Sequence, residues 1–129
     1  LYYLQTLARK HKVQVRFILD GSPELIREQY WRHNVLLNFS QGAFGIVNAE
    51  ALACGTIPVV HTHFKDSVGC YGIIYRDITE ALRLTYNLLR NPTEIRLRGL
   101  KGSEYVRNKL SFHTFMKKIK IILEHTLHQ

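Results

Sequence analysis

The sequence predicts an α/β fold, a parallel sheet flanked by helices, and three observations predict it. Apolar runs of strand length recur at 13–19, 35–39, 56–60 and 72–75. Between them lie segments whose apolar residues fall at helical spacing, and strands alternating with helices build parallel sheets. The 129 residues suit one domain, with a core that requires neither a disulfide framework nor a metal staple.

Residues 1–11 read as the end of a helix. Val13 to Leu19 alternates and then turns fully apolar, as a strand buried in a parallel sheet does. Asp20-Gly21 is turn chemistry, and Ser22 followed by Pro23 predicts an N-cap and a first helical position for a helix to about His33. Val35–Phe39 is a second strand, Ser40–Ala43 a flexible loop, and Gly45–Cys54 a helix that ends on Gly55. Thr56–Val60 is a third strand, in which Pro58 removes one ladder donor. The stretch 61–72 shows no period and is expected to be a loop. A short fourth strand over 72–75 precedes a helix capped by Asp77, and Asn91-Pro92 ends that helix. A basic helix is expected over 93–109. Ser111 then opens a last helix with apolar residues at 112, 115, 116, 119, 122, 123 and 127.

Composition narrows the function classes. Hydrophobic residues are 46% and charged residues 22%, a globular balance rather than a disordered one. Cys54 and Cys70 are too few for a disulfide framework and form no CxxC pair, which suits a reducing compartment. No run approaches the roughly 18 apolar residues of a membrane span, and the basic cluster at 9–12 follows the apolar residues instead of preceding them as in a secretory signal. Cytoplasmic work is therefore expected, including at the cytoplasmic face of a membrane. The first residue is Leu1, so the chain is expected to be part of a longer protein.

The net charge of +8 is unevenly placed. Residues 1–16 carry four cations and no acid, and 94–120 carry eight cations against Glu94 and Glu104. These cations mostly alternate with apolar residues at helical spacing, as solvated helix faces do, and lack the interleaved aromatic platform of a nucleic-acid binder. Nucleic acid is not an expected partner; a membrane surface is.

Candidate chemistry gathers after the strand at 35–39. In open parallel sheets ligands sit beyond the carboxyl ends of the strands. Gly42 and Gly45 permit close backbone approach there, and the amides of Phe44, Gly45, Ile46 and Val47 open a helix that attracts an anion. Glu50 lies one turn further, where a carboxylate can accept both hydroxyls of a ribose. These letters alone describe a phosphate-plus-sugar site.

The run Phe39–Val60 also resembles the signature of the group 1 family of retaining GT-B glycosyltransferases. It matches at Ser40, Phe44-Gly45-Ile46, Glu50-Ala51, Ala53, Gly55 and Pro58-Val59-Val60. The resemblance covers nearly the whole chain, with Val13–Phe17 similar to the family's preceding strand and Ser111-Phe112 to its closing helix. It implies a Rossmann-like, C-terminal half of a GT-B fold: 1–129 would be a single partial domain, the donor-binding lobe, with the N-terminal acceptor domain outside this chain. In the family, the amides at Phe44, Gly45, Ile46 and Val47 hold the donor's sugar and diphosphate, and the acid at Glu50 binds the ribose. The positions of Leu19 and Asp20 are where the nucleobase is usually met. The implied donor is a UDP- or GDP-linked sugar, used as substrate without cofactor or metal. The implied acceptor is a glycan, lipid or protein.

Two departures accompany the likeness. The first acid of the family's E-x7-E pair falls on Gly42, so the catalytic assignment stays open and a non-catalytic, degenerate binding or scaffolding module is the alternative. The family's upstream Arg and Lys phosphate ligands have no counterpart, and Arg9 and Lys10 lie on a different element. His61 and His63 follow a strand's carboxyl end and are expected to face the acceptor or the sugar. As two imidazoles without a third ligand nearby, they do not predict a metal site. Cys54 is expected in the core and Cys70 in a partly exposed loop, neither with a base to activate it.

Overall fold

Three short parallel strands organise the chain: β1 (Val35–Asn38), β2 (Ile57–His61) and β3 (Ile73–Tyr75), in the order β1-β2-β3. The computed structural model describes residues 2–39 and 45–127, except for the side chains of 122, 123 and 125–127. Parallel neighbours need crossovers. The first is α3 (Ile46–Ala53); the second is a 3-10 turn (Thr62–Phe64) with the single helical turn α4 (Lys65–Val68). The register pairs Val35 with Ile57 and Asn38 with Val60, then Val59 with Ile73 and His61 with Tyr75. Pro58 pairs with Leu36 and precedes the first β2–β3 pair, so its missing donor is tolerated in a central strand.

The central strand is buried on both faces, which explains its unbroken apolar run. Val60 packs with Leu52, Phe64 and Val68 beneath α3 and α4, and Tyr71, Ile74, Tyr105 and Val106 close that layer. Its neighbour Val59 points the other way, toward Tyr75 and Ala81, as strand alternation requires. The second layer is closed by α5 (Ile78–Leu89), while α6 (Pro92–Tyr105) crosses α3. That crossing is close because Gly99 faces the αL turn at Gly55: a Cβ on Gly99 would stand 2.5 Å from the Gly55 carbonyl.

Sequence chemistry sets the helix starts. Ser22 accepts from the Leu25 amide at the head of α2 (Pro23–Arg32), Asp77 from Glu80, and Asn91 from Glu94, with Pro23 and Pro92 in the first turns. The first helix, α1 (Tyr2–Lys10), ends as expected near residue 11. The last, α7 (Phe112–Leu127), begins after Ser111, whose hydroxyl accepts from the Thr114 amide.

Three expectations are corrected. Residues 13–19 form no strand: the Val13 amide bonds the Ala8 carbonyl as part of the end of α1, and Val13, Val15 and Leu19 are exposed. A fully apolar run becomes a strand only where both of its faces can be covered, and here they are not. The expected loop 61–72 contains the 3-10 turn and α4, because Phe64, Ser67 and Val68 are buried within a single turn, too short to reveal a period. The helix expected over 93–109 stops at Tyr105 and continues as a π-turn, Val106–Leu110, which brings the consecutive residues Tyr105 and Val106 onto the same core layer. No helix among the described residues is long and apolar enough to cross a membrane.

Candidate functional site

The carboxyl ends of the three strands open into a cleft of about 540 Å³, lined by Phe39, His61, His63, Tyr75, Arg76, Asp77 and Ile78. Tyr75 builds its floor. Its hydroxyl donates to the Asn38 carbonyl at 3.1 Å, tying the end of β3 to that of β1, and burial pushes its phenol pKa up. Phe39 and His61 both meet the Tyr75 ring edge-on, at 5.8 and 5.6 Å between centroids. His63 lies 4.4 Å from His61, whose Nδ1 accepts the His63 amide at 3.5 Å. Arg76 supplies the cation, held by Glu80 through Nε at 3.4 Å and Nη2 at 3.3 Å. The Arg76 side chain, followed by its amide at 2.9 Å, keeps the Glu80 carboxyl below its ordinary value near 4.5.

The amino end of α3 follows the carboxyl end of β1. Gly45 is its N-cap at φ 71° and offers no capping side chain, so the first-turn amides of Ile46 and Val47 have no intrahelical acceptor. A Cβ on Gly45 would stand 2.5 Å from Asn48 Nδ2 and 2.8 Å from Phe64. The fully buried Asn48 anchors this end: its Oδ1 accepts from Asn38 Nδ2 at 2.7 Å, and its Nδ2 donates to Ser67 Oγ at 3.4 Å. The Ser67 hydroxyl donates onward to the Phe64 carbonyl at 2.8 Å. β1, α3 and α4 are thereby tied together just below the strand ends. Sequence reasoning passed over Asn48, and a lone amide in an apolar helix gives no signal that separates an anchor from a solvated residue.

Glu50 faces elsewhere. It lies on the outer side of α3 in a second groove of about 470 Å³, with Pro23, Glu24, Ile26, Arg27, Tyr30 and Cys54. Burial, followed by the Glu50 charge, raises the pKa of the Tyr30 phenol. Burial also raises that of the Cys54 thiol, against the opposing pull of Arg27, so this half-buried cysteine stays protonated. Arg27 stacks over Trp31, 5.2 Å from the ring centroid, and Glu50 makes no ion pair with any described residue. Its exposed carboxylate is a ready acceptor for hydroxyl groups.

Gly45, Ile46, Val47 and Glu50 thus share one helix, while His61 and His63 line the cleft at the strand ends and Glu50 the groove beside α2. Phe44, Gly42 and the loop expected over 40–43 lie outside the described residues. Leu19 and Asp20 are exposed and wall neither cleft. Cys70 is exposed. No three His, Cys, Asp or Glu side chains come together among the described residues. No family model, curated protein or solved structure matches the chain.

Proposed function

We propose that this chain is the donor-binding lobe of a retaining glycosyltransferase, taking a UDP- or GDP-linked sugar as substrate and working with an N-terminal acceptor-binding domain outside this chain. One observation carries the reading. The run 39–60 links two adjacent parallel strands: it begins just past β1, carries α3 with its amino end uncapped and Glu50 exposed and unpaired one turn on, and ends within β2. In this reading the amides of Phe44, Gly45, Ile46 and Val47 hold the diphosphate, where fixed N–H groups stabilise leaving-group charge without reorganising. Glu50 accepts the ribose hydroxyls, and the groove beside Tyr30 receives the nucleoside. The acceptor is a glycan, lipid or protein, and transfer takes place in the cytoplasm, with no cofactor or metal.

The test is calorimetric titration with UDP, GDP, ADP and their sugar conjugates, on the chain and on Glu50→Ala. Saturable binding of one nucleotide, weakened at least about tenfold in the variant, supports the reading, since a lost charged hydrogen bond costs about 1.5–3 kcal/mol. Silence from a folded chain, or binding indifferent to Glu50, sinks it.

A second reading, a non-catalytic lobe that keeps the fold, is favoured by Gly42, which leaves no carboxylate where the resemblance expects one to touch the transferred sugar. Under it, nucleotide and nucleotide sugar bind equally well, and Gly42→Glu selectively tightens the sugar conjugate. Sugar turnover by the longer protein with Gly42 in place eliminates this reading.

A further inference from the structure

The last helix presents an apolar stripe to solvent. Phe112, Phe115, Met116 and Ile119 follow one another at helical spacing and share one side of α7. Phe112 is 76% exposed, Phe115 57% and Met116 46%, and the main packing partner of α7 is the π-turn before it. Charge runs alongside. Residues 105–123 contain Arg107, Lys109, Lys117, Lys118 and Lys120 and no acid. All five cations are exposed, and only Lys120 has an ion-pair partner among the described residues, Glu124 at 3.8 Å. At about 100° per residue, Lys118 and Lys120 fall on opposite flanks of the stripe. A partner that fits must be apolar beneath the stripe and negative along both of its borders. The acyl–headgroup boundary of an anionic bilayer has that layering, with lysine stems lying along the apolar zone and ammonium groups among the phosphates.

We propose that α7 is an interfacial helix that docks this protein in the plane of a membrane rich in anionic lipid. No residue of α7 enters either cleft, so nucleotide binding does not report on it. The N-terminal domain proposed above, however, competes for the same stripe: vesicle binding by this chain that the longer protein lacks would assign the stripe to that domain and overturn the proposal. Each lysine near an anionic surface strengthens attachment about fivefold, and the apolar stripe converts that attraction into insertion.

The experiment is vesicle flotation of the whole chain, with phosphatidylcholine alone and with a phosphatidylcholine–phosphatidylserine mixture, at low and high salt. The expected result is binding to the mixed vesicles at least about tenfold tighter than to neutral ones, and weaker in salt. F112S/F115S and, separately, K118E/K120E should each lose about tenfold or more. These residues are exposed, so circular dichroism should not change, and the lysine pair provides an independent reading if the phenylalanine pair perturbs the helix. Equal or absent binding to the two vesicle types overturns the proposal, as does retained binding in both variants. It is equally overturned if the chain ignores vesicles but forms an oligomer that F112S/F115S dissolves, since the stripe would then be a self-association surface.

Discussion

Replacing Asn48 with alanine removes the acceptor that Asn38 reaches at 2.7 Å and the donor aimed at Ser67, inside a site sealed from water. A buried polar network that loses one member typically costs about 1–3 kcal/mol, so urea unfolding of Asn48→Ala should shift by that amount. Gly45→Ala should cost about 1–3 kcal/mol as well, for a different reason. The left-handed conformation there disfavours any side chain, and the new Cβ would collide with Asn48 and Phe64. Both variants shift the first turn of α3, so nucleotide affinity should fall with stability, whereas Glu50→Ala should lower affinity alone. This scale was only half legible in the sequence. Glu50 could be placed one turn beyond the amides that open α3, but its turning into the groove beside Tyr30 could not, because α2 forms that groove from a distant part of the chain. Asn48 could not be valued, because its meaning lies in partners 10 and 19 residues away along the chain.

The helix starts at Ser22 and Asp77 were the most legible elements, because capping is local and each accepts the amide three residues on; Asn91, legible only as the end of α5, does the same for α6. Asp77→Ala should therefore lower stability by about 1 kcal/mol in thermal unfolding. Glu80 adds a pH dependence at the same helix start. Arg76 depresses its carboxyl pKa in the folded state, so its contribution is present above the ordinary value near 4.5 and is lost as pH falls through the depressed one. Acid titration of Glu80→Gln should show less loss of stability below about pH 4 than the parent, by a margin that shrinks in salt. The packing of α6 was not legible. Gly99 looks like a helix-weakening residue, yet its missing Cβ is what admits the Gly55 carbonyl. Gly99→Ala should gain in helix propensity and still destabilise by about 1–3 kcal/mol, because backbone cannot move aside as a side-chain tip can.

At the scale of the whole molecule, the α/β class followed from alternation alone, but the extent of the sheet did not. Val13–Leu19 has the composition of a buried strand, and composition cannot show whether a neighbour is there to cover it. In the structure β1 pairs only with β2 among the described residues, and the amides of 14–19 have no backbone acceptor there. Hydrogen exchange should therefore be steeply graded across the chain. The amides of Val59 and Val60, fully buried in the central strand, should open only with global unfolding, while those of 14–19 exchange at nearly the rate of an unfolded chain. Protection of 14–19 as strong as that of Leu36 and Leu37 would mean that this segment adds to the β1 edge in solution. It would also bring Leu19 and Asp20 to the carboxyl edge of the sheet, where the family resemblance expects the nucleobase, and so add a second wall to the nucleoside site proposed beside Tyr30. If instead that protection appeared only when nucleotide was added, ordering of the segment would be coupled to donor binding, and affinity would be lowered by the cost of folding it.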